Sequence, residues 1–459
     1  MKILILGASQ VGISIAEVLV GEDNDVTIVD LDDYSLLQLQ ARLDIRTVVG
    51  NAAHPSILRS AGAEDADLLL AVTNNDEANL VACQIAESWF STPTRIARLR
   101  SKEYLNNPDL FGPEGAFSIS VVISPETIVR DHISRLIEFP GALQVLDFAD
   151  GLVQLVGVRA VAGGALLNCE LSELKSHMPK IETRVAAIYR DQEIITPKSD
   201  TIIREKDEVF FVAAKEHIRY VMKEMRGKID KTKRVIIAGG GNIGLSLAQE
   251  LETKGFSVKI IENDPVRARA IAEELHNTFV LNGDAAEASL LLQENIETVD
   301  VFCAVTEKDE INLLSANLAK RLGAKRVMAL VNRPAFVDHL DHSEINNIIS
   351  PRLATIGSVL AHIRRGDVVA VHSLRRGKAE AIEAIAHGDA ESSRVVGRGV
   401  RDIPFPPGTG VGAIVRNGKV IIPNIETVIE SEDHVIIFMD NKACITEVEK
   451  LFNVAATFI

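Results

Sequence analysis

The chain has 459 residues, 47% hydrophobic but only 4% aromatic, and a net charge of −15. That length predicts three or four domains of ~150 residues each, with Val-, Ile-, Leu- and Ala-rich cores that suit buried parallel sheets. The acidic balance argues against nucleic acid, whose phosphates need a basic face, and against electrostatic adhesion to an anionic membrane. No apolar run approaches the ~18 residues that span a bilayer, so a soluble chain is expected. The cysteines Cys83, Cys169, Cys303 and Cys444 form no C-x-x-C pair and read as reduced thiols of a cytosolic protein. Met1 and Lys2 followed by uncharged residues superficially resemble a signal peptide. The same pattern recurs at Val235, where no signal could act.

In chain order, residues 2–32, KILILGASQVGISIAEVLVGEDNDVTIVDLD, read as strand, glycine turn, helix, strand and acid. The turn comprises Gly7, Ala8, Ser9, Gln10, Val11 and Gly12, and the acid is Asp30. The unit returns at residues 234–265, RVIIAGGGNIGLSLAQELETKGFSVKIIENDP, with Gly239, Gly240, Gly241, Asn242, Ile243, Gly244 and Glu262. Gly7, Gly12 and Asp30 fall on Gly239, Gly244 and Glu262 at a shift of 232 residues, an internal duplication. This is the dinucleotide-binding pattern: the first glycine turns, the second admits a pyrophosphate, and the third packs helix on strand. The helix N-terminus offers unpaired N–H groups to phosphate. The acids accept from a ribose 2′-OH and repel a 2′-phosphate, favouring NAD(H) over NADP(H). Arg267, just beyond Glu262, reads as a helix-surface residue.

Residues 46–51 and 67–73 read as third and fourth strands. The second leads into A-V-T-x-x-D-E-x-N-L at 71–80, repeated at 304–313. Thr73 and Thr306 are expected as N-caps, with an acid three residues on. The helix starts at a strand C-terminus, where open α/β sheets bind ligands, which makes Thr73 and Asn74 candidate nucleotide contacts. A fifth strand, 95–100, carries outward arginines; Arg98 falls on Ala329 in the repeat. Arg98 is either a solvated strand-end residue or a phosphate clamp, since guanidinium grips phosphate as a rigid fork. Each half then reaches Ile-Ser-Pro, at 123–125 and 349–351, a normal helix opening. The amphipathic helices that follow read as connectors, or as elements exchanged between subunits. Residues 194–212 and 420–438 match each other within small α+β modules.

The expected fold class is α/β: two tandem Rossmann-like, doubly wound parallel sheets, each followed by a small α+β domain. The boundaries are 1–123, a crossover helix 124–139, 140–227, a linker 228–233, 234–349, a second crossover helix 350–366, and 367–459.

This organisation resembles the RCK family, which regulates potassium conductance. Four domains in one chain resemble the tandem-RCK regulatory subunits of bacterial Trk potassium uptake systems. KILILGASQVG, VIIAGGGNIG and the two A-V-T-x-x-D-E-x-N-L runs carry the likeness across essentially the whole chain. It implies binding of NAD or NADH, with ATP or ADP as further candidates, and assembly into a homo-oligomeric, tetrameric ring. It also implies a peripheral position on the cytosolic face of the inner membrane, held by a Trk-type potassium-translocating membrane subunit. The first site would comprise Gly7 to Val11, Asp30, Thr73, Asn74 and Arg98; the second, Gly239 to Ile243 and Glu262. Two departures stand out. Ser9 replaces the middle glycine and crowds a pyrophosphate, and Asn51 stands where the repeat has Asp284. The two sites are therefore expected to differ.

The rival reading is an NAD-dependent oxidoreductase, which needs a proton donor or acceptor beside the nicotinamide. No Tyr-x-x-x-Lys pair occurs at the four tyrosines. The histidines are dispersed, with His276, His339 and His342 in surface contexts. A regulator is the expectation.

Overall fold

The computed structural model describes residues 1–22, 24–112, 115–191, 193–227, 232–333, 345–363, 368–374, 379–441 and 444–453. His339 and His342, expected at the surface, and most of the 228–233 linker lie outside these residues.

The first nucleotide domain is a parallel sheet of β1 (Lys2–Leu6), β2 (Asp25–Asp30), β3 (Arg46–Val49), β4 (Leu68–Ala71), β5 (Thr94–Arg98) and β6 (Val121–Ile123). Their order is β3-β2-β1-β4-β5-β6, and the direction of winding reverses between β1 and β4, at the carboxyl edge where such sheets take ligands. Alternation along β1 divides its side chains between two cores. Ile3 and Ile5 join Ile15, Leu19 and Ile28 on one face. Leu4 and Leu6 join Leu69, Ala71, Leu80, Cys83 and Ala86 on the other. Burial on both faces explains why β1 is apolar at successive positions rather than alternating.

The second nucleotide domain repeats this topology with β12 (Arg234–Ala238), β13 (Ser257–Glu262), β14 (Phe279–Asn282), β15 (Val301–Ala304), β16 (Arg326–Leu330) and β17 (Asn347–Ile349), ordered β14-β13-β12-β15-β16-β17. The sixth strand of each sheet, three residues ahead of the Ser-Pro helix opening, was too short to be read from sequence.

The small domains are antiparallel sheets. The first contains β7 (Ala142–Phe148), β8 (Val153–Arg159), β9 (Thr183–Arg190), β10 (Glu193–Ile195) and β11 (Glu208–Ala214). The second contains β18 (Val368–Leu374), β19 (Ala379–Ala386), β20 (Thr409–Arg416), β21 (Lys419–Ile421) and β22 (Asp433–Met439). Their orders, β10-β9-β11-β8-β7 and β18-β19-β22-β20-β21, are the same topology. Each holds a matching ion pair on a buried carboxylate. Arg190 donates from Nε and Nη2 to Asp207, both at 2.8 Å, and Arg416 does the same to Asp433 at 2.8 and 2.7 Å. The two small domains share a core in which Phe148, Leu155 and Phe210 meet Leu374, Ala413 and Phe438.

The chain divides into two compact units, Met1–Val129 with Pro351–Ile363, and Arg130–Ser350 with Arg364–Ile459. The crossover helices account for this division. In the first unit, the helix Pro351–Ile363 from the second half packs Ile356, Val359 and Leu360 into the core around Ile15 and Leu19. Arg352 also pairs with Glu17 at 2.9 Å. In the second unit, the later part of the helix Pro125–Glu138 meets the helix Asn242–Thr253. There Ser134 donates to Glu250 at 2.6 Å, Lys254 donates to Ser134 at 2.9 Å, and Arg130 pairs with Glu250 at 3.0 Å. Within this chain each helix thus packs on the nucleotide domain of the other half, the connector role expected of it.

Candidate nucleotide sites

Both glycine turns adopt one conformation. Gly7 and Gly239 each have φ +109°, a region that favours glycine. A Cβ on Gly7 would lie 3.0 Å from the Thr73 backbone, and on Gly239 3.0 Å from Thr306 N. The turn of β1 is thus pressed against the end of β4, and that of β12 against the end of β15. The third glycines are required by contact: a Cβ would stand 2.1 Å from Gly7 O at Gly12, and 1.9 Å from Gly239 O at Gly244.

The middle position separates the halves. A Cβ on Gly241 meets nothing within 4 Å, so nothing in the protein demands glycine there. Ser9 uses its hydroxyl within the fold, accepting from Gly12 N at 3.4 Å as the helix N-cap and donating to Val72 O at 3.3 Å. The acids also work on the turns. Asp30 accepts from Ala8 N at 2.5 Å, and Glu262 from Gly240 N at 2.7 Å.

The A-V-T-x-x-D-E-x-N-L runs form a bracket that sequence reasoning assigned only in part. Thr73 is not the N-cap; Asn75 is, with its side chain accepting from Ala78 N at 2.6 Å. In the repeat the cap position is Lys308, which makes no side-chain cap bond. The threonine hydroxyls instead bind the asparagines repeated in the two runs. Asn79, fully buried, accepts from Thr73 N at 3.1 Å and Thr73 Oγ1 at 2.6 Å, and donates to Arg98 O at 2.9 Å. Asn312 accepts from Thr306 N and Oγ1 at 2.8 and 2.7 Å, and donates to Leu330 O at 3.0 Å. Each amide ties the end of one strand to the next. The acids sit beside it: Asp76 accepts from Arg100 N and Ser101 N at 2.8 Å, and Asp309 from Asn332 N and Arg333 N at 2.9 Å. Burial acts to raise the Asp309 pKa, but those hydrogen bonds outweigh it and hold the carboxyl below its ordinary value. The identical spacing of Thr, Asp and Asn in the two runs was the signal for this bracket. Asn74 is exposed at its rim.

Arg98 is not an outward strand residue. It is 6% exposed, its side chain makes no hydrogen bond among the described residues, and its enclosed Nε is without a partner. Burial, then Arg100, lowers its pKa, opposed by Glu126 and Asp76. Strand alternation failed as a guide because β5 is covered on both faces. The second half has a different cation: Arg267 donates from Nε to Gly240 O at 2.9 Å, which places it against the glycine turn rather than out on the helix surface. Asn51 and Asp284 hold equivalent turns, accepting from Ala53 N and Ala286 N.

The TrkA-N domain family matches residues 3–125 and 235–351, and the TrkA-C domain family residues 155–226 and 389–453. Over the whole chain and the whole of each relative, the sequence is 55% identical to the Trk system potassium uptake protein TrkA of Halomonas elongata and 53% identical to that of Vibrio alginolyticus. The chain belongs to the TrkA family of Trk system potassium uptake proteins. As a member of that family it is a component of potassium uptake rather than an oxidoreductase. Among solved structures it resembles the RCK domain of GsuK, with a TM-score of 0.61 at 16% identity, over 98% of this chain and 94% of that one. It also resembles the GsuK channel bound to NAD, with a TM-score of 0.61 at 17% identity, over 98% of this chain and 78% of that one. At those identities the likeness is one of fold. No described helix is long and apolar enough to cross a membrane.

Proposed function

We propose that the chain is the cytosolic nucleotide-sensing subunit of a Trk-type potassium uptake system, binding NAD(H) at the two glycine turns. The observation that carries this reading is Arg98. Arg98 is 6% exposed and its enclosed Nε has no hydrogen-bond partner among the described residues; such a cation is costly unless an anion meets it, and a nucleotide phosphate is such an anion. Gly7 to Gly12, Asp30, Thr73 and Asn74 complete the first site. Gly239 to Gly244 and Glu262, joined by Arg267, form the second. ATP or ADP offers the same phosphate chemistry. The relatives are named as proteins of a Trk potassium uptake system, which supports a partner in the form of a potassium-translocating membrane subunit that would hold this chain peripherally at the cytosolic face of the inner membrane. A homotetrameric ring of such chains would act by population shift: nucleotide favours whichever domain arrangement binds it better, and the membrane gate follows.

Arg98→Met tests the site. Replacing a buried cation whose Nε has no hydrogen-bond partner among the described residues by an apolar side chain of similar length leaves the empty protein about as stable, while NADH affinity falls. If NADH and ATP titrate identically into wild type and variant, Arg98 is not part of a nucleotide site. Potassium flux in vesicles holding the membrane subunit tests the gating. Nucleotide-independent flux in the presence of the chain overturns that part alone.

A further inference from the structure

We propose that Cys169, Glu173 and His177 form a binding site for a zinc-class divalent transition metal on the first small domain. The three residues are spaced four apart, on the 3-10 turn Leu171–Glu173 and the helical turn Leu174–His177 that follow Cys169. That spacing brings their side chains to one side. Their potential ligand atoms all lie within 4.8 Å of one another, and Cys169 Sγ is 3.6 Å from His177 Nε2. For tetrahedral zinc, with Zn–S of about 2.3 Å and Zn–N of about 2.0–2.1 Å, sulfur and nitrogen stand about 3.5–3.6 Å apart. The pair is thus already at coordination spacing. Thiolate, imidazole and carboxylate together select zinc-like ions over magnesium or calcium, which prefer oxygen donors. Three protein ligands leave a fourth position for water or an incoming ligand.

The duplication supplies a control within the chain. The second small domain repeats this backbone: Ile203 N donates to Cys169 O at 3.2 Å, and Ile429 N to Arg398 O at 3.0 Å, and the 3-10 turn recurs as Val400–Asp402. Arg398 and Asp402 stand there in the places of Cys169 and Glu173, while the helical turn Leu174–His177 has no counterpart, since residues 403–406 form no helix. The 3-10 turn therefore forms without Cys169 and Glu173, and the helical turn that brings His177 to them belongs to the first half. Leu171, Ser172, Leu174 and Lys175 also line a cavity of about 720 Å³ between the two small domains. A metal held across residues 169–177 would stiffen that wall.

Coordination requires the thiolate, so the Cys169 thiol gives its proton to water as the metal binds, and affinity falls as pH falls.

The test is a Co(II) titration of the reduced full-length protein, followed by Zn(II) displacement. The expected result is one equivalent per chain, with a thiolate-to-cobalt charge-transfer band and the d–d absorption of a tetrahedral site. Cys169→Ser removes the charge-transfer band, and His177→Gln weakens binding by more than about 100-fold, beyond the loss of an outer-shell partner. Glu173→Gln weakens it less, and Cys444→Ser changes nothing. Circular dichroism verifies that each variant folds. A charge-transfer band that persists in Cys169→Ser, or the absence of a saturable band in wild type, overturns the proposal.

Discussion

Gly241→Asp separates binding from folding at the second nucleotide site. Gly241 is the N-cap of the helix Asn242–Thr253, at φ −66° and ψ −171°, an extended conformation that any residue adopts. A Cβ there meets nothing within 4 Å, and Asp is a better N-cap than Gly by a few tenths of a kcal/mol. The empty variant is therefore expected to be at least as stable as wild type. Its carboxylate would stand where a pyrophosphate approaches the helix N-terminus. At about 4 Å from a phosphate oxygen, the repulsion is about 1 kcal/mol in bulk water and about 4 kcal/mol near a protein surface. NADH affinity at this site then falls by between about fivefold and about 1000-fold. Gly239→Asp is a poorer probe. At φ +109°, with Thr306 atoms at 3.0–3.1 Å, it costs about 1–3 kcal/mol of backbone strain and confounds lost binding with lost structure. Isothermal titration of the full chain with NADH, beside chemical unfolding, reads both quantities. A stable Gly241→Asp protein that titrates like wild type would refute the assignment.

Four further outcomes are expected. Asn79→Ala strands Thr73 N and Arg98 O, and should cost about 3 kcal/mol, read from the denaturant midpoint, while also weakening nucleotide at the first site. Asp433→Asn breaks a pair in which the carboxylate is fully buried and should cost about 3 kcal/mol; a shift within measurement error would make that pair dispensable. Arg267→Ala should sharpen the preference of the second site for NADH over NADPH, since it removes a cation that shares the Gly240 turn with Glu262; an unchanged ratio by competitive titration would return Arg267 to a purely structural role. His132 and His372 are held at a pKa of about 4, first by burial and then by Arg135. The unfolded chain takes up these protons near pH 6.5, so stability is full above that value and is lost as pH falls towards 4. His372→Gln should flatten the dependence, and an unaltered pH profile of thermal melting would contradict it.

The sequence by itself determined the duplication, the four domains and both glycine turns. Those features rest on local chemistry: a glycine required by a positive φ at Gly7 and Gly239, apolar runs that fit a doubly covered sheet, and a repeat long enough to align. It also marked the Thr, Asp and Asn of the A-V-T-x-x-D-E-x-N-L runs, although it assigned the capping role to Thr73 when Asn75 holds it, because several nearby side chains compete for the same orphan N–H groups. What only the tertiary structure decided depends on partners distant in sequence. Arg98 alternates like a surface residue yet is enclosed, since covering both faces of β5 takes elements from elsewhere in the chain. Arg267 reaches back across 27 residues to Gly240. The helix Pro351–Ile363 buries Val359 and Leu360 in a core whose strands begin at Lys2. A helix's periodicity tells which face is apolar, but not which of two domains of the same topology will cover it.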